Sequence, residues 1–121
     1  LFFQGLQEKT IMTVFAKTGV RKGELISIDI GDIDWRSGGI ELKPKRKRSN
    51  RKVPFDDEAA VLLGRWLKVR RDYAADGEAA LFIGDRGRRI GRNIVYEVVS
   101  GKFHLNTNYG KYSELQRIRF R

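Results

Sequence analysis

Apolar residues recur at helical spacing between Leu6 and Lys17, where Ile11, Met12, Val14 and Phe15 gather, and Gly19 stands where such a helix would end. A second short helix fits Arg21 to Ile28. Ile30, Ile33 and Trp35 then lead into Ser37-Gly38-Gly39, a turn signal that predicts a strand before it. Ile40-Glu41-Leu42 alternates like a short strand, and Lys52-Val53-Pro54-Phe55 reads as another, with a polar stretch containing Ser49-Asn50 between them. These pieces predict a small antiparallel sheet with Pro54 at an edge or a strand end, because proline has no N–H to give to a ladder.

Asp56 or Asp57 can cap a helix reaching about Tyr73, in which Val61, Leu62, Leu63, Trp66, Leu67 and Val69 are expected to bury and Arg65, Lys68, Arg70 and Arg71 to stay in solvent. Leu81-Phe82-Ile83 is a short apolar run between glycines. Gly87 to Arg92 forms a basic turn leading into a helix through Ile94, Val95, Val98 and Val99, and after Ser100 the pattern dissolves. The expected fold is α+β: mainly helical, with one three-stranded antiparallel sheet.

Leu-Phe-Phe-Gln-Gly at positions 1–5 resembles the remnant of a protease-cleavable expression tag, which leaves 6–121 as the expected domain and implies a larger parent protein. A length of 121 residues fits one domain with a modest core. Lys and Arg total 25 against 15 Asp and Glu, a net charge of +10 that favours a polyanionic partner, nucleic acid first. No apolar stretch approaches the length of a membrane span, and the basic residues do not lie opposite one continuous apolar stripe, so a membrane partner is not expected. A cytoplasmic, nucleoid-associated location follows.

The chain has no cysteine, which excludes a disulfide scaffold and thiolate chemistry, and its single histidine, His104, cannot build a multi-histidine metal site. Neither a metal nor another cofactor is expected.

Thr18-Gly19-Val20-Arg21-Lys22-Gly23-Glu24-Leu25, followed by Asp32-Ile33-Asp34, resembles the first motif box of the tyrosine recombinases, the phage integrase family that includes Xer-like site-specific recombinases. In that box an arginine follows Thr-Gly-apolar and an acidic residue lies three positions later. The likeness continues through the strand pair, Val53-Pro54-Phe55, the acidic opening of the next helix and the Leu81-Phe82 to Arg92 turn, covering about Ile11 to Val99. It implies a partial recombinase catalytic domain acting on double-stranded DNA with sister protomers. The implied chemistry transfers a DNA phosphodiester to a tyrosine hydroxyl through a 3′-phosphotyrosine intermediate, with no metal or nucleotide.

Such a transition state concentrates negative charge on non-bridging oxygens, which a bidentate guanidinium suits. Arg21 matches the family's first catalytic arginine; the plain alternative is a solvated arginine at a helix start. Glu24, one turn on, is expected to hold Arg21 or nearby backbone, or to be an ordinary surface glutamate. Residues 43–52 carry Lys43, Lys45, Arg46, Lys47, Arg48, Arg51 and Lys52, a run that is otherwise read as a solvated charged loop. The family's hairpin lysine, the general acid for the leaving 5′ oxygen, matches Lys45, with Lys47 as runner-up. Lys43, Arg46, Lys47, Arg48 and Arg51 would bind DNA through its phosphates, as would Arg86, Arg88, Arg89 and Arg92, with nearby glycines permitting close backbone approach and the helix N-terminus adding a phosphate site.

The family's His-x-x-Arg box is absent from these 121 residues. A sequence joined across a missing region, a truncated or frameshifted chain, and a degenerate relative that binds without cutting are the open explanations. His104 and Tyr112, with Tyr109 as alternative, faintly resemble the last box with its nucleophile. A small basic RNA-binding protein is the reading from outside the family.

Overall fold

The computed structural model describes residues 2–43 and 51–100. Its first helix, α1 (Phe2–Thr18), is a central element, packing on both later long helices, α3 (Asp57–Arg70) and α4 (Arg92–Ser100). Ile11 and Val14 are fully buried, as expected, while Met12 and Phe15 are partly buried against the same core. The helix begins before Leu6: nothing in Gly5-Leu6 breaks the turn, and Gly5 is itself buried. Central position also buries polar side chains on α1, among them Gln7, Glu8, Thr10 and Thr13. Thr10 donates to the Leu6 carbonyl at 2.8 Å, and the Gln7 amide both donates to and accepts from the backbone of Ile83, at 2.8 and 2.7 Å. Gly19 ends the helix in the left-handed region, φ 69°, where residues with a Cβ are disfavoured.

A short α2 (Lys22–Ser27) and a 3₁₀ turn (Ile30–Asp32) lead to the sheet of β1 (Ile33–Asp34), β2 (Gly39–Leu42) and β3 (Arg51–Pro54), antiparallel in the order β1-β2-β3. The register pairs Ile33 with Ile40 and Ile40 with Val53, so one buried apolar row crosses all three strands. Lys52 lies over Gly39, where a Cβ would meet the lysine stem at 2.7 Å, and so reaches Asp34 on the far strand, also at 2.7 Å. Phe55 N–H turns in to the Gly38 carbonyl at 2.8 Å, so the Pro54 nitrogen, one residue earlier, faces away from the sheet.

Asp56 caps α3, its carboxylate accepting from Ala59 N at 3.0 Å, with Asp57 and Glu58 in the first turn to complement the helix dipole. The buried stripe is Ala59, Leu62, Leu63, Trp66 and Arg70. Two expectations fail here: Val61 is 53 % exposed, and Arg70, expected in solvent, is 5 % exposed. Arg70 goes inside because the following chain offers it carbonyls: its Nε donates to Ala80 O at 2.8 Å and its Nη2 to Glu78 O at 2.7 Å. Trp66 Nε1 donates to Leu81 O at 2.8 Å. The run Ala80–Ile83 thus threads the core with all four carbonyls accepting, from Arg70, Trp66, Ile90 and Gln7, and with the N–H groups of Ala80, Leu81 and Ile83 donating to Glu78, Ile28 and Gln7. α4 then buries Val95 and Val98 and leaves Ile94 and Tyr96 exposed.

Candidate functional site

Arg21 occupies the N-cap of α2 with extended backbone, φ −83° and ψ 159°, and its side chain is exposed. Glu24, three residues on, turns back so that its Oε1 accepts the Arg21 backbone N–H at 2.8 Å. This is the glutamate half of a capping box; arginine has no acceptor with which to return it. The same oxygen takes Arg51 Nη2 at 2.8 Å, tying the start of β3 to the start of α2. Among the described residues no carboxylate or carbonyl holds the Arg21 guanidinium.

A helix leaves its last carbonyls without helical partners, and a six-residue helix has few others. Cations meet them here. Arg89 Nη1 donates to Ile26 O at 2.9 Å and more distantly to Ile28 O at 3.4 Å, while Lys43 Nζ donates to Ser27 O at 2.6 Å. Positive charge at this end also complements the helix dipole. Both cations continue to carboxylates: Lys43 Nζ lies 2.6 Å from Asp32 and 3.1 Å from Asp29, and Arg89 Nη2 lies 2.5 Å from the other oxygen of Asp29. Burial alone would raise the Asp29 carboxyl, but hydrogen bonds from Arg89 and Lys43 outweigh it and hold the group below its ordinary value. Lys43 is raised on balance for the reciprocal reason: desolvation opposes its charge, and Asp32 and Asp29 favour it more strongly.

The predicted cations therefore fall into two sets. Lys43, Arg51 and Arg89 are each engaged by a carboxylate of their own chain. Arg21, Arg86, Arg88 and Arg92 are exposed and, among the described residues, carry no such pairing. Lys22 Nζ sits 4.3 Å from the ring centroid of Tyr96, which sets the start of α2 beside α4; Arg92 lies one turn before Tyr96 on the same helix. Lys45, Arg46, Lys47, Arg48, His104, Tyr109 and Tyr112 lie outside the described residues.

Sequence reasoning missed Asp29 altogether and used Asp32 only as motif spacing. Its one local signal was the Asp29-x-x-Asp32 pair after a short helix; Asp29 and Arg89 are 60 positions apart. The glycine reading also changes. Gly87 is buried with φ 75°, and what crowds it is the backbone of Tyr73 to Ala75, so its lack of a Cβ serves the packing of its own chain. Among the described residues no helix is long and apolar enough to cross a membrane, and no group of three or more His, Asp or Glu side chains is placed to hold a metal ion.

A family model, that of the phage integrase family, matches residues 3–117. Tyrosine recombinase XerC of Vibrio parahaemolyticus serotype O3:K6 is 39 % identical over 90 residues, 74 % of this chain and 29 % of that protein. XerC of Vibrio cholerae serotype O1 is 37 % identical over the same length and shares. The crystal structure of XerA recombinase matches with a TM-score of 0.65 at 28 % identity, covering 77 % of this chain and 36 % of that one. The structure of XerH recombinase bound to palindromic difH substrate, a post-cleavage complex, matches with a TM-score of 0.66 at 23 % identity, covering 78 % and 27 %, and supports the fold alone. The chain spans less than a third of the length of the curated relatives it matches.

Proposed function

Because the chain belongs to the phage integrase family, we propose that it is the DNA-engaging part of a site-specific recombinase catalytic domain, with Arg21 aimed at the scissile phosphate. One observation carries this reading: Arg21 projects from a backbone fixed by Glu24, and its guanidinium is left unpaired among the described residues, whereas Arg51 at the same end of α2 and Lys43 and Arg89 at its other end are held by carboxylates. An exposed guanidinium on a fixed base is a preorganised donor for a phosphate, and two of its N–H groups match two non-bridging oxygens. Arg88 and Arg92 extend the cationic surface for phosphate contacts, together with Arg46, Lys47 and Arg48. The reaction served is transfer of a DNA strand to a tyrosine, Tyr112 or Tyr109, with Lys45 as general acid, His104 as a supporting group and sister protomers on paired sites. That reading carries a nucleoid-associated location with it.

A second reading, binding without cutting, is favoured by one sequence fact: no His-x-x-Arg occurs in the 121 residues. Loss of one preorganised donor typically costs about 10²–10³ in rate. Two measurements decide. Fluorescence anisotropy with a labelled duplex across a salt series should show affinity falling steeply as salt rises; affinity indifferent to salt would count against DNA engagement through phosphates. Incubation with a nicked suicide substrate, followed by denaturation, should yield no covalent adduct from this chain and an adduct from a longer protein that includes a His-x-x-Arg helix. Arg21→Ala in that longer protein should remove the adduct and leave binding largely intact; adduct formation at the parent rate would remove Arg21 from the mechanism.

A further inference from the structure

Asp29 stands where three parts of the chain meet. Its backbone N–H donates to Asp32 Oδ2 at 2.8 Å, closing the 3₁₀ turn after α2. One carboxylate oxygen takes Lys43, the residue directly after β2, and the other takes Arg89, in the turn before α4. Lys43 and Arg89 also cover carbonyls at the end of α2, through Ser27 for the first and Ile26 for the second. The backbone N–H of Arg89 is in turn held by Glu78 at 3.1 Å, and Asp29 and Ala80 form an antiparallel bridge.

These bonds occupy all three donors of the Lys43 ammonium and three of the five N–H groups of the Arg89 guanidinium. The Lys43 ammonium has three N–H groups and three oxygens around it within 3.1 Å: Ser27 O, Asp32 Oδ2 and Asp29 Oδ2. The Arg89 guanidinium reaches a carboxylate with one terminal nitrogen and carbonyls with the other. A phosphate arriving at Lys43 would have to displace an oxygen already in place, and one arriving at Arg89 would face the charge of the Asp29 carboxylate on the same guanidinium. Arg88, adjacent to Arg89 in sequence, is exposed and has no such partner among the described residues.

We propose that Asp29 is a shared anchor through which Lys43 and Arg89 fix the end of β2 and the basic turn before α4 against the segment following Arg21, and that both cations are positioning residues for the DNA-facing surface and are not phosphate ligands. This inference rests on the DNA-binding reading above. The basic residues then divide by role, the paired cations holding the frame and the unpaired ones facing the polyanion.

The test is the salt dependence of duplex binding, measured by anisotropy for the parent chain and for Lys43→Gln, Arg89→Gln, Arg88→Gln and Arg92→Gln. Each phosphate neutralised contributes about 0.9 to the slope of log K against log salt. Arg88→Gln and Arg92→Gln should each lower the slope by about that amount. Lys43→Gln and Arg89→Gln should weaken binding several-fold at every salt concentration with the slope unchanged; a slope loss of about 0.9 from either would overturn the assignment. Arg89→Lys covers the case in which Arg89→Gln does not fold. It keeps the charge and loses the fork that spans Ile26 O and Asp29, so parent-like affinity would count against positioning. A thermal double-mutant cycle of Asp29→Asn with Lys43→Gln, and of Asp29→Asn with Arg89→Gln, should be non-additive; strictly additive shifts would also overturn the proposal. A parent chain with no salt-dependent binding would sink the DNA reading, and the cycle would still judge the anchor.

Discussion

The segment Ala80–Ile83 is held from inside the molecule, by the Trp66 indole, the Arg70 guanidinium and the Gln7 amide, whereas the chain around α2 is held from outside, by Lys43, Arg51 and Arg89 on carboxylates that keep about a fifth to a quarter of their exposure. In the first region each donor meets a backbone group shielded from water, so a lost donor leaves an orphan that solvent cannot reach. In the second, water can replace whatever is removed, and the ties contribute less to stability. The outer ties have a different use: they set where charged groups stand while leaving that edge of the molecule accessible. Stability and placement are thus assigned to different shells of the same small domain.

Breaking the inner region should have the largest effect. Trp66→Ala removes the largest fully buried side chain and orphans Leu81 O, and should destabilise by about 3–5 kcal/mol, measured by urea denaturation. Arg70→Met keeps the stem and leaves the carbonyls of Ala80 and Glu78 without their donor, for a loss of roughly 1–3 kcal/mol. A result near zero for Arg70→Met would erase the contrast between the regions.

Glu8 sharpens the comparison through pH. Burial raises its carboxyl to about 7, above the usual value of 4.5. The folded state therefore binds the proton more tightly than the unfolded state, and this contribution is full below the ordinary carboxylate value and lost as pH rises through 7. Melting temperature should fall between pH 5 and pH 8, corresponding to roughly 1–3 kcal/mol, and Glu8→Gln should flatten the profile. At the outer edge, Arg51→Ala and Lys52→Ala should each leave the urea midpoint close to the parent's, because the two cations keep 51 % and 39 % of their exposure and water takes over their bonds. A midpoint shift comparable to that of Arg70→Met would mean that the outer ties are structural in the same sense as the inner ones.

The strands and α3 were legible because their periods are strong. Alternation marked Ile40 and Leu42 against Glu41, and the i, i+3, i+4, i+7 stripe marked Leu62, Leu63 and Trp66. Val61 and Arg70 show where residue type misleads and the period holds. Val61 lies about 100° around the helix from Leu62 and turns outward. Arg70 continues the buried stripe because carbonyls wait for it, and those belong to a segment that no local pattern connects to α3. At the site, Thr18 to Leu25 announced both Arg21 and Glu24, since the cap and the acidic residue are local. The pairing of Asp29 with Arg89, and of Lys43 with the end of α2, is written across remote parts of the chain, and composition counted all of those cations alike.

The outward-facing nitrogen of Pro54 has a consequence for the protein in concentrated solution. Among the described residues β3 is the outer strand of its sheet, and an outer strand is a template on which another chain can add by backbone pairing. At Pro54 the rim has no hydrogen to offer, and the exposed Arg51 and Lys52 repel an identical strand brought alongside. The same small ribbon that places cations beside α2 is therefore guarded against stacking into fibrils along its open side.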